Sequence, residues 1–120
     1  MAQILVVDDY VVSQRVFSTI IRKAGHDVLL AGDGRGAPDI IGQGGVDLVL
    51  LDIAMPDIDG ITVLRRVRAN PSTRGLPVVM ITASGDDQLQ AEAREAGANA
   101  FLTKPASSAQ LTDVLESLLT

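Results

Sequence analysis

The sequence predicts an α/β fold: a doubly wound, five-stranded parallel sheet with helices on both faces. Three observations predict it. Five short apolar segments alternate with five segments of helical pattern along the chain, and such alternation calls for parallel strands joined by right-handed crossovers. Val49 to Leu51 is a continuous apolar run, the pattern of a strand buried on both faces. Five strand–helix units in 120 residues are too few for an eight-stranded barrel, which leaves the open sheet of strand order 2-1-3-4-5. This length predicts a single domain, residues 1–120.

The first strand is Gln3 to Val7, ended by Asp8-Asp9. Val12, Val16, Ile20 and Ile21 then recur at helical spacing, and Gly25 suits a helix end. Asp27 to Ala31 reads as the second strand, closed by Gly32-Asp33-Gly34. Arg35 to Gly42 is a weak helix, because Pro38 is tolerated only in its first turn and Gly42, Gly44 and Gly45 follow. The third strand, Asp47 to Leu51, runs into Asp52 and a loop rich in Pro, Asp and Gly. Ile61, Leu64 and Val67 mark the third helix, ended by Asn70-Pro71. Pro77 to Ala83 is the fourth strand, rich in Val and Ile. The fourth helix, Asp87 to Ala96, has an apolar face made mostly of Ala and is closed by Gly97. Asn99 to Thr103 is the fifth strand. Ser107 and Gln110 have capping-box spacing and open a last helix striped by Leu111, Val114, Leu115, Leu118 and Leu119.

Composition excludes several classes of function. There is no Cys, so disulfides and thiolate metal sites are absent. A formal charge of −5, one Tyr, two Phe and no Trp disfavour direct binding of nucleic acid. The first apolar run stops at Asp8, which argues against a signal peptide. No run approaches the ~18 apolar residues of a membrane span. A cytoplasmic protein without membrane insertion is the expectation.

In an open α/β sheet, ligands bind at the carboxyl ends of the strands, where the strand order reverses. Those ends carry Asp8-Asp9 on the first strand, Asp52 on the third, Thr82-Ala83-Ser84 on the fourth and Lys104-Pro105 on the fifth. Each has an ordinary structural reading: Asp8-Asp9 as a helix cap, Thr82 as a strand residue, Lys104 as a solvated turn residue. Their joint placement at one end of one sheet favours a site. Three clustered carboxylates repel one another and need a nearby cation. All-oxygen ligands with room for waters suit Mg²⁺. An aspartate is an established nucleophile toward phosphorus, and a Lys and backbone N–H groups would stabilise the transferring phosphoryl group.

The whole chain resembles the receiver domains of response regulators. The resemblance is carried by Leu5-Val6-Val7-Asp8-Asp9, Asp33-Gly34, the run from Asp52 to Gly60, Ile81-Thr82-Ala83 and Phe101-Leu102-Thr103-Lys104-Pro105. The strand order 2-1-3-4-5 is that of the flavodoxin-like class to which chemotaxis receivers belong, so it adds no support independent of the resemblance. The resemblance implies that Asp52 accepts a phosphoryl group from a sensor histidine kinase or phosphotransfer protein. It implies that Asp9, Asp52 and the Ala54 carbonyl hold Mg²⁺, with Asp8 acting mainly through a water. Thr82, Lys104 and the Ala54 and Ala83 N–H groups would contact the phosphoryl oxygens. Thr82 and Phe101 would form the switch, and the Lys104-Pro105 bond would be cis. The fourth helix, fifth strand and fifth helix would then regulate a downstream protein or output domain.

The protein would thus be a switch, not an enzyme, catalysing only its own phosphorylation and dephosphorylation. A Mg²⁺-dependent aspartyl-phosphate phosphatase or phosphotransferase is the alternative, disfavoured because 120 residues leave no cap domain. A nucleotide or flavin binder is disfavoured because Asp-Asp stands where a Gly-rich loop would be. Several positions depart from the receiver pattern. Pro38 and the glycines after it weaken the second helix, and Ala106 is small. Ala54 and Ser84 stand where receivers tune loss of the phosphoryl group. His26 is expected in an exposed turn.

Overall fold

The computed structural model describes residues 2–83 and 86–119. Ten elements alternate strictly: β1 Gln3–Val7, α1 Val11–Lys23, β2 Asp27–Ala31, α2 Ala37–Gly42, β3 Leu48–Asp52, α3 Gly60–Ala69, β4 Val78–Thr82, α4 Asp87–Glu95, β5 Ala100–Thr103 and α5 Ser108–Leu119. The strands form one sheet in the order β2-β1-β3-β4-β5, and every pairing is parallel.

Strand alternation divides the core into two layers. Leu5, Val7, Val49, Leu51, Val78 and Met80 face α2, α3 and α4. Ile4, Val6, Leu48, Leu50, Val79 and Ile81 face α1 and α5. The central strands β3 and β4 are buried at every residue, as their unbroken apolar runs require.

Local chemistry sets the helix ends. Asp59 caps α3 by accepting from the Thr62 N–H at 2.9 Å, and Asp86 caps α4 through the Gln88 N–H at 2.8 Å. Ser107 and Gln110 form the reciprocal capping box ahead of α5, at 2.9 and 3.1 Å. Gly25 and Gly97 close α1 and α4 at φ +93 and +108, where a side chain would be strained. α2 is only six residues long, with Pro38 in its first turn.

The structure corrects two expectations. Val12 and Val16 do not lie on the buried face of α1; they are 53% and 47% exposed, and Phe17, Ser18 and Ile21 are buried instead. The two valines follow helical spacing, but spacing alone does not say which stripe meets the sheet. His26 is half-buried, and its Nδ1 accepts the Ala2 N–H at 3.0 Å, tying the entry of β1 to that of β2.

At the end of the sheet remote from the acidic residues, Arg68 joins three segments. It donates to the Gly97 carbonyl from Nε and Nη2, to the Arg74 and Leu76 carbonyls from Nη1, and to Asn99 Oδ1 from Nη2. Asn99 Oδ1 also accepts the Val78 N–H at 2.9 Å. Arg68→Ala removes five hydrogen bonds and should cost about 2 kcal/mol, because the half-buried carbonyls lose their donors. Arg68→Lys should recover only part of that, since an ammonium cannot span the same fork. Denaturant midpoints check both.

Candidate functional site

Register builds the site. Val7 pairs with Leu51, so the next residues, Asp8 and Asp52, come level at the carboxyl ends of β1 and β3. Both continue the alternation that faces α1 and α5. Asp52 is 5% exposed and Asp8 only 1%. Thr82 ends β4 on the opposite face, in line with Val78 and Met80, and is 2% exposed. Phe101 pairs with Met80 and packs against the same layer, so Thr82 and Phe101 share the α4 side of the sheet. The Lys104 N–H donates to the Thr82 carbonyl at 2.7 Å, which brings Lys104 to the ends of β4 and β5. The Lys104–Pro105 bond is cis.

The Lys104 ammonium lies 2.8 Å from Asp8 Oδ2 and 3.3 Å from Asp52 Oδ2. It donates a hydrogen bond to Asp52. Its approach to Asp8 is a charge contact off the line of a hydrogen bond, and Asp8 Oδ2 is buried with no hydrogen-bond partner among the described residues. Asp52 Oδ1 accepts the Ala54 N–H at 3.2 Å. One oxygen each from Asp8, Asp9 and Asp52 lies within 4.8 Å of the others, and Asp9 is exposed. Asp8 does not cap α1: its Oδ1 accepts the Tyr10 N–H at 2.9 Å, and Tyr10 occupies the cap position without a side-chain bond.

The sequence matches the response regulator receiver domain over residues 4–116. The chain belongs to that family. Receiver homologues include the response regulator PleD of Caulobacter vibrioides, 38% identical over 117 residues that make up 98% of this chain and 26% of PleD. Chemotaxis protein CheY-3 of Vibrio cholerae is 34% identical over 97% of this chain and 90% of its own length. A response regulator from Chloroflexus aurantiacus superposes with TM-score 0.94 at 35% identity, covering 98% of this chain and 97% of that one. The receiver therefore spans about a quarter of PleD and nearly all of CheY-3.

The receiver's acidic cluster suits a hard divalent cation. Its donors are all oxygen, and one of them, Asp8 Oδ2, is buried with only a charge contact to satisfy it. Three carboxylates face one ammonium, so a cation is electrostatically favoured there. Burial holds the Asp52 carboxyl above its ordinary value; the Lys104 charge opposes that, the Asp8 charge adds to it, and the hydrogen bonds from Lys104 and Ala54 pull it back down. Burial alone would depress the Lys104 ammonium, but its close contact with the Asp8 carboxylate and the charge and hydrogen bond of Asp52 prevail and raise it.

The structural roles of other motif residues at the site were not evident from the sequence. Gly60 starts α3 against the backbone of Asp52, and a Cβ there would overlap the Asp52 carbonyl oxygen. Gly60 also donates to the Ile53 carbonyl at 2.8 Å, so the end of β3 and the start of α3 are locked together. Asp57 accepts the Gly34 and Arg35 N–H groups at 3.3 and 3.0 Å, binding the β3–α3 loop to the β2–α2 loop. Buried beside them, Gly34 leaves no room for a side chain against Ile58 and Met55. The backbone bonds to Asp57 hold its carboxyl below the ordinary value, against a desolvation effect that would raise it. Ser84, expected at the rim, lies outside the described residues.

The raised Asp52 pKa fixes the sign of a stability effect. The stability it contributes is fully present below the unfolded value near 3.8 and is lost as pH rises through the higher folded value. At pH 7 in metal-free buffer, ionised Asp52 therefore destabilises the fold. Asp52→Asn should be more resistant to denaturant than wild type at pH 7, and the difference should narrow as pH falls toward 4. Chemical denaturation in EDTA at the two pH values checks it.

Proposed function

We propose that the protein is a phosphorylation-activated signalling switch whose acceptor is Asp52. The placement of Lys104 between Asp8 and Asp52, with Asp9 beside them, carries this reading. The phosphodonor is a phosphohistidine of a sensor histidine kinase or phosphotransfer protein. An Asp52 oxygen attacks phosphorus, the N–P bond breaks, and the imidazole leaves with its electron pair. Asp9, Asp52 and the Ala54 carbonyl would hold Mg²⁺, with Asp8 acting mainly through a water, and the ion when bound would neutralise charge on the transferring group.

The chain's own residues do the rest. Lys104 is already within ion-pair distance of the acceptor and needs only a small shift to reach a phosphoryl oxygen. The Ala54 N–H, now on Asp52 Oδ1, and the Ala83 N–H complete the cradle with the Thr82 hydroxyl. Beside Lys104 opens an apolar cavity of about 440 Å³, lined by Tyr10, Val12, Val16, Phe17, Pro105 and Ala106 among others. Of these, Tyr10, Val12 and Val16 are exposed. An apolar rim at the entrance of an otherwise charged site supports docking of a protein donor there.

Output follows from Thr82 and Phe101 sharing the α4 side of the sheet. A phosphoryl group that draws the Thr82 hydroxyl inward frees space into which Phe101 can turn, altering the surface of α4, β5 and α5. That surface regulates a downstream protein or an output domain. The protein turns over no separate substrate, and its charge of −5 supports a protein target over direct contact with nucleic acid. No described helix is long and apolar enough to cross a membrane.

Asp52→Asn keeps the shape of the acceptor without its nucleophile. Acetyl phosphate with Mg²⁺ should label wild type stoichiometrically and should not label the variant. An undiminished phosphorylated species in the variant would transfer the acceptor role elsewhere, and continued release of phosphate from a small ester would mark a phosphatase.

Loss of the phosphoryl group requires a water in line with phosphorus. Ala54 is exposed and has no polar side-chain atom to orient that water. Spontaneous dephosphorylation should therefore be slow, and Ala54→Asn should shorten the lifetime while leaving Mg²⁺ affinity nearly unchanged, since only the Ala54 backbone serves the ion. Time courses of phosphate release decide it: fast wild-type hydrolysis unaltered by the substitution would contradict this account.

A further inference from the structure

We infer that Gln14 is a positioning residue for the acidic site: by holding the Asp8–Asp9 peptide, it places the Asp9 carboxylate where a divalent cation can use it. Gln14 Nε2 donates to the Asp8 carbonyl at 2.6 Å. Gln14 is half-buried on the first turn of α1, six residues after Asp8, and its own N–H donates to the Tyr10 carbonyl at 3.0 Å. The inference rests on the proposed metal-dependent acceptor chemistry and names a residue that tunes it.

Three of the four polar groups of Asp8 are thereby fixed. Its N–H donates to the Ala31 carbonyl at 3.1 Å, its Oδ1 accepts from Tyr10, and its carbonyl accepts from Gln14. The fourth, Oδ2, is left to face Lys104. The carbonyl held by Gln14 belongs to the peptide plane that leads into Asp9, so rotating that plane would swing Asp9. Among the described residues no hydrogen bond or ion pair holds the Asp9 carboxylate itself, which is exposed. Its position is therefore set through the backbone. Tyr10 makes no side-chain cap, so this backbone at the start of α1 is fixed by two side chains, the Asp8 carboxylate on the Tyr10 N–H and the Gln14 amide on the Asp8 carbonyl, and only the latter holds the peptide that leads into Asp9.

The test compares wild type with Gln14→Met, a side chain of similar length and no donor. Mg²⁺ titrations followed by the backbone amide resonances of residues 8–10 and 52–54 should show affinity lowered about fivefold, the usual worth of one hydrogen bond. In acetyl phosphate labelling, the half-saturating Mg²⁺ concentration should rise by the same factor while the rate at saturating Mg²⁺ is kept. Placed on an Asp9→Ala background, Gln14→Met should have no further effect on Mg²⁺ affinity, because its route to the metal is gone. If Gln14→Met does not fold, Gln14→Asn, too short to reach the carbonyl, takes its place. Unchanged Mg²⁺ affinity in a folded variant, or an equal loss with and without Asp9, overturns the role of Gln14 alone. Absence of Mg²⁺ binding by wild type overturns the metal reading and this inference with it.

Discussion

Two buried carboxylates sharing one ammonium set the terms for the rest of the structure. Asp8 and Asp52 are both nearly inaccessible, and Lys104 touches each. Separate burial of any of the three charges would be costly, and one positive charge cannot settle two negative ones. The fold supports the arrangement from several directions. The parallel register of β1 and β3 brings the carboxylates level, and the bond from the Lys104 N–H to the Thr82 carbonyl anchors the base of the lysine. Gly60 allows α3 to press directly on the Asp52 backbone. The charge left over is what makes the pocket receptive to a cation.

Much of this was legible because strand ends are legible. Apolar runs that stop at Asp8, Asp52, Thr82 and Lys104 place those residues on one rim once the strands are parallel, and the observed order β2-β1-β3-β4-β5 does so. The match to the receiver family, over residues 4–116, spans all of these residues. What stayed hidden depends on pairs distant in sequence. Arg68 is one of several arginines in its region, and nothing in its neighbours says that it will reach Gly97 and Asn99. Asp57 reads as a loop residue until Gly34 and Arg35 are found against it. Gln14 looks like any polar helix position, and Val12 and Val16 like core, because helical spacing carries no information about rotation against the sheet.

The sheet also acts as a partition. The carboxylates point to the α1 and α5 side, while Thr82 and Phe101 belong to the α4 side. Under the proposed switch, a change at the rim would pass across β4 rather than along it. α4 is the weakest element on the receiving side. It buries only Ala93, and its ion pair between Glu92 and Arg65 is exposed, 3.6 Å long, and worth little. Its C-terminal end is another matter, because Arg68 holds the Gly97 carbonyl with two donors and the adjoining Asn99 with a third bond. A helix loosely packed along its length and pinned at one end moves most at the other. The N-terminal end of α4, capped by Asp86, is the one that follows Thr82 in the chain, so the proposed switch residue lies at the end of α4 away from Arg68.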